Sequence, residues 1–79
     1  MQAYDDARKR LSESVKKARH KIGLSQEALA LQAGINRSYV GQIERGIGNP
    51  SLQVMVKLAT TLQKDVAELL KRDGDDKRR

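Results

Sequence analysis

The sequence predicts an all-α fold, a compact five-helix domain, and three observations predict it. Apolar residues recur at three- and four-residue spacing, and no stretch shows the period of two that a strand needs. Good N-caps and glycines punctuate the chain at helical intervals, with Ser25, Gly34, Asn36, Ser51 and Asp65 as the main marks. Residues 26–45, QEALALQAGINRSYVGQIER, read as two short helices joined by a three-residue turn.

The first helix is expected over about residues 6–22. Leu11, Val15, Ala18 and Ile22 form one apolar stripe, Asp5 and Asp6 suit the positive N-terminal end, and Gly23 ends the helix. The second starts after Ser25 and ends at Gly34. It lacks a full capping box, because Ala28 stands where Glu or Gln would reach back. The third starts after Asn36 and ends before Gly46. Residues 46–51, GIGNPS, are a loop by their glycines and proline. The fourth follows Ser51, with Leu52, Met55, Leu58, Ala59 and Leu62 facing inward. The fifth is short, with Asp65 and Glu68 as a capping box before Val66, Leu69 and Leu70. The domain is expected over residues 1–72. Residues 73–79, DGDDKRR, hold no apolar side chain and are expected to be a disordered charged tail.

Residues 26–45 satisfy each geometric demand of a helix-turn-helix. Two helices that cross closely need a small residue at the crossing, and Ala30 supplies it. The turn needs a residue tolerant of positive φ, and Gly34 supplies that. Leu29, Ala33, Ile35, Val40 and Ile43 fall on the inward faces. A unit of this kind places its second helix in the DNA major groove.

Composition narrows the remaining choices. The chain has 79 residues, no Cys and one His. That disfavours a disulfide scaffold, a metal site and a His-centred catalytic group. His20 reads as a surface residue. No apolar run reaches membrane-spanning length, and residues 1–10 do not resemble a secretory signal, so the cytoplasm is the expected compartment. No nucleophile–base pair or phosphate-cradling loop is visible, so an enzyme is not expected, and no cofactor or small-molecule ligand is implied. The net charge is +6. Residues 1–24 carry seven Lys or Arg against three acids, so the excess gathers in and before the first helix. A basic surface speeds encounter with polyphosphate and gives salt-dependent affinity.

The segment over about residues 15–70 resembles the lambdoid-repressor-like family, the Cro/C1 or xenobiotic-response-element type of helix-turn-helix. The residues that carry the resemblance are Arg19, GLSQEALA at 23–30, AGINRSYVGQIERG at 33–46, NPSL at 49–52 and LATTL at 58–62. Its small size is similar to that of restriction–modification controller proteins, dimeric regulators that time expression of an endonuclease. RSYVGQIERG followed by NPSL is similar to what such proteins carry, although other family members have comparable runs.

The resemblance implies double-stranded DNA as the partner and assigns roles. Arg37, Ser38 and Gln42 occupy base-reading positions, and Arg and Gln are suited to bidentate contacts with guanine and adenine. Ser25, Gln26, Tyr39, Arg45 and Asn49 are expected at the DNA backbone, with Tyr39 either on a phosphate or packed at the groove edge. Arg19 and Glu44 are expected to form a partly buried ion pair. Gly41 departs from the family, which more often has Ser or Ala. It is expected on the exposed face with Arg37, Ser38 and Gln42, where close approach to DNA and simple drift both account for it. Gly46 and Gly48 are expected to let the DNA backbone come near.

Val54, Val56, Val66, Leu69 and Leu70 exceed the needs of one inward stripe and are expected to form a homodimer interface. A two-fold dimer would set two recognition helices about 34–36 Å apart on a near-palindromic operator. The alternatives are an antitoxin that also binds a toxin protein, and a phage-type repressor. The tail is short and polar for a toxin-binding segment, and it reads more as a terminus than as a linker to another domain.

Overall fold

The computed structural model describes residues 2–71. The tail expected over 73–79 lies outside the described residues. Five helices appear in chain order: α1 Gln2–Lys21, α2 Gln26–Ala33, α3 Arg37–Glu44, α4 Leu52–Leu62 and α5 Val66–Leu69. Among the described residues no strand is present.

The caps fall where the sequence places them. The hydroxyl of Ser25 accepts from Ala28 N–H at 3.0 Å, Asn36 Oδ1 from Ser38 N–H at 2.7 Å, and Ser51 Oγ from Val54 N–H at 3.1 Å. Each satisfies one of the donors that a helix start leaves open. Gly34 ends α2 at φ 72°, in the left-handed region that costs glycine nothing. Glu68 closes the capping box on Asp65 N–H at 2.8 Å.

α1 begins four residues earlier than the stripe suggests. Asp5 binds Arg8 at 3.1 Å, and the Arg8 guanidinium lies 4.7 Å from the Tyr4 ring centre, so polar side chains hold this extra turn. Two members of the expected apolar stripes face solvent. Ile22 is past the end of α1, where the chain turns through Gly23 at φ 75°, and it is 46% exposed. Leu52 is the first residue of α4 and is 65% exposed. Side chains on a helix lean toward its N-terminus, so the first one hangs off the end.

The remaining apolar positions make one core. Leu29, Ile43, Leu58, Leu69, Val15 and Val40 are its fully buried side chains. α3 packs on α1 and α2, α4 on α1 and α2, and α5 closes against α1 and α4. Leu69 is therefore corrected from an interface residue to a core residue. At 1% exposed it has no surface to offer a second chain. Val54, Val66 and Leu70 lie partly buried against the core, and Val56 is 47% exposed.

Two polar contacts that periodicity does not reveal fasten α1 to the rest. Ser12 Oγ donates to the carbonyl of Glu44 at 2.6 Å, and Arg10 Nε donates to the carbonyl of Leu70 at 2.9 Å. Both satisfy backbone acceptors at helix ends that have no partner within the helix.

Candidate nucleic-acid interface

The polar centre of the molecule is Glu44, the last residue of α3. Arg19 on α1 grips its carboxylate with both arms of the fork, Nε to Oε2 at 2.7 Å and Nη2 to Oε1 at 2.9 Å. Gln26, the first residue of α2, donates its amide to Oε1 at 3.0 Å. Arg19 also donates to the carbonyl of Leu24 at 2.8 Å, in the connection between α1 and α2. Arg19 and Glu44 are both buried. One carboxylate thus ties together α1, α2 and α3.

The electrostatics agree with that geometry. Burial alone would push the Glu44 carboxyl up. Hydrogen bonds from Arg19 and Gln26, with the charges of Arg19 and Lys16, outweigh burial and hold it below the usual range. The hydrogen bond to Glu44 raises Arg19 in turn, against a smaller opposing effect of burial.

From this anchor α3 presents its outer face. Arg37, Ser38 and Gln42 are exposed, and among the described residues their side chains make no hydrogen bond or ion pair. They are donors and acceptors with nothing to satisfy but solvent or a ligand. Val40 and Ile43, on the inner face, are 0% and 2% exposed. The amphipathic split of α3 is therefore sharp.

The expected backbone-contact residues divide. Ser25 and Gln26 stand together at the start of α2. The Ser25 hydroxyl is taken by its cap, and one Gln26 donor is taken by Glu44. Tyr39 is only partly exposed, and its hydroxyl donates to the carbonyl of Asn49 at 3.3 Å, so it braces the loop after α3. Asn49 is exposed. Arg45 is exposed and caps α3.

Two glycines differ from their expected settings. Gly41 is buried, not exposed, because the side chains of Arg45 and Gln26 cover it. Gly48 is also buried. A Cβ there would lie 3.2 Å from Ile43 Cγ1 and 3.3 Å from Ile43 N, so the loop needs glycine to pack on α3. Its N–H and that of Ile47 both donate to the carbonyl of Gln42, at 3.2 and 3.1 Å, which folds the loop back on the helix.

Sequence reasoning missed Ser12 and the second role of Gln26. Neither carries a periodic or charge signal. A serine one position after Leu11, at the border of the apolar stripe of α1, is the single hint the sequence holds. Among the described residues no three His, Asp or Glu side chains are grouped to hold a metal ion, and no helix is long and apolar enough to cross a membrane.

Comparison with known proteins agrees with this arrangement. A helix-turn-helix family model matches residues 15–69, from within α1 to the end of α5. Control protein C.SmaI of Serratia marcescens is 39% identical over 71 residues, covering 90% of this chain and 84% of the relative. The crystal structure of the restriction–modification controller protein C.AhdI from Aeromonas hydrophila superposes with a TM-score of 0.75 at 44% identity, over 78% of this chain and 94% of that one. The N-terminal DNA-binding domain of SinR from Bacillus subtilis gives 0.76 at 34% identity, over 80% and 93%. The buried Arg19–Glu44 anchor, the exposed face of α3 and these similarities lead to one conclusion: the chain belongs to the helix-turn-helix family of DNA-binding transcriptional regulators.

Proposed function

We propose that this regulator binds a near-palindromic operator as a homodimer and acts as the controller protein of a restriction–modification system. The observation that carries the reading is the exposed triad Arg37, Ser38 and Gln42 on a helix whose other end is fixed by Glu44. A free polar face on a rigid mount suits direct readout of base edges. Ser25, Gln26, Arg45 and Asn49 border that face and would set its register on phosphates, which position without specifying. The controller assignment rests on the similarity to C.SmaI and C.AhdI.

Val54, Val56, Val66 and Leu70 retain exposed apolar surface on α4 and beside α5, and they form the proposed dimer face. The protein would work in the cytoplasm as a binding protein, without enzymatic activity. The test is titration of a duplex carrying the chain's own upstream region against a random duplex at near-physiological salt. The expected result is two chains per site and a preference of about a thousandfold or more. Equal, steeply salt-dependent binding to both duplexes would overturn the operator reading.

A further inference from the structure

We infer that Gly41 is a positioning residue for DNA binding, a seat that holds the Arg45 guanidinium against the recognition helix beside Gln26. The inference rests on the DNA-binding reading above.

A glycine in mid-helix costs about 1 kcal/mol relative to alanine, and α3 is only eight residues long. The backbone does not require it, since Gly41 has no positive φ. Its surroundings are two side chains that would admit a methyl group and little more. A Cβ at 41 would meet Arg45 Nη1 at 3.4 Å and Gln26 Oε1 at 3.9 Å, and nothing else as near. The Arg45 head lies back over the helix one turn before its own Cα and closes over the bare backbone. Gln26 borders the same space with its amide oxygen, because its nitrogen is committed to Glu44.

The Arg45 side chain makes no hydrogen bond or ion pair among the described residues, so this cation is placed without being neutralised. An exposed arginine at a helix end would otherwise sample many rotamers and lose that freedom on binding. Seated at Gly41, it is held beside the start of α2, where a phosphate oxygen could take donors from the guanidinium and from the backbone N–H of Gln26. A side chain larger than alanine's at 41 would lift the arginine off its seat. Alanine at ordinary contact distance would disturb it least, and larger groups progressively more.

The experiment is a double-mutant cycle between position 41 and Arg45, read by affinity for the upstream-region duplex and a random duplex across a salt series. Arg45→Ala is expected to weaken binding to both duplexes by a similar factor and to lower the salt slope by about one. Gly41→Val and Gly41→Leu are expected to reproduce most of that loss and slope change, and to cause little further loss in the Arg45→Ala background. Val and Leu both exceed Gly in helix propensity, and two side-chain shapes guard against one failing to fold. Circular dichroism melting checks that both fold. Full additivity with Arg45→Ala would mean that the new side chain meets the DNA itself, and it would overturn the seat. Unchanged binding in both 41 variants would overturn it too. If the unsubstituted protein fails to bind the duplex specifically, the operator reading fails instead, a result separate from either.

Discussion

The two ends of α3 are built on opposite plans. At the C-terminal end Glu44 is buried and held through its carbonyl by Ser12 and through its carboxylate by Arg19 and Gln26. At the N-terminal end Arg37 and Ser38 are exposed, and among the described residues the Asn36 cap is the one side-chain hydrogen bond that the backbone of the first turn receives. The buried polar network is costly to assemble, because each charge gives up water. It fixes the angle of α3 on the domain. The open end keeps its polar groups unsatisfied, so a base edge there competes only with water. One helix thereby carries both the buried group that orients it and the exposed groups proposed to read base edges, Arg37 and Ser38 at this end and Gln42 on the same outer face.

If the buried end is the mount, breaking it should cost most. Glu44→Ala leaves the Arg19 guanidinium buried without its partner, and the expected loss is about 3–5 kcal/mol of stability by denaturant melting. A loss under about 1 kcal/mol would make the network ornamental, and the contrast between the ends would disappear. Acid probes the same group more gently. The folded carboxyl is held below its usual value, so its contribution is fully present above the ordinary glutamate range and is lost as pH falls through the lower folded value. Stability of the unsubstituted protein should therefore drop between about pH 4.5 and lower pH. In Glu44→Gln that part of the acid slope should be missing.

The open end should behave in reverse. Arg37→Ala is expected to leave the melting midpoint unchanged and to weaken operator binding by about 1–3 kcal/mol, with relaxed preference at one base position. Equal loss on operator and random duplex would reassign Arg37 to a phosphate contact. A lower melting midpoint would show that this end, too, supports the fold.

The helices are more legible in the sequence than the buried network that mounts α3. Caps at Ser25, Asn36 and Ser51 and the turn at Gly34 are local, because the groups they satisfy lie within three residues, so the element order could be read directly. The Arg19–Glu44 pair spans 25 residues and came only through family resemblance. Ser12 reaches across 32 residues to a backbone carbonyl, a contact that depends on how α1 crosses α3 and leaves no mark in composition. Leu69 was misplaced for a related reason. Counting apolar residues gives the amount of apolar surface, but not which member of the Leu69–Leu70 pair turns inward. Gly48, and Gly41 where drift is not its reason, are expected on the DNA side because glycine signals close approach without naming what approaches. Here Arg45 and Gln26 cover Gly41, and Ile43 covers Gly48.

The smallest effect is expected at the cap that separates the two plans. Asn36 holds α3 with a single short bond to Ser38 N–H, and nothing from α1 or α2 reinforces it among the described hydrogen bonds. Asn36→Ala should cost about 1 kcal/mol of stability, and Asn36→Gly only a few tenths, since glycine leaves the cap to water. The local consequence tests the comparison more directly. Without its cap the first turn frays, so amide exchange at the start of α3 should quicken, while the amides near Glu44 keep their protection. Operator affinity should fall modestly, because Arg37 and Ser38 would have to be reordered on binding. Uniform acceleration along all of α3 would show that the helix opens as one unit, and that the fixed end does not stabilise itself independently of the N-terminal end.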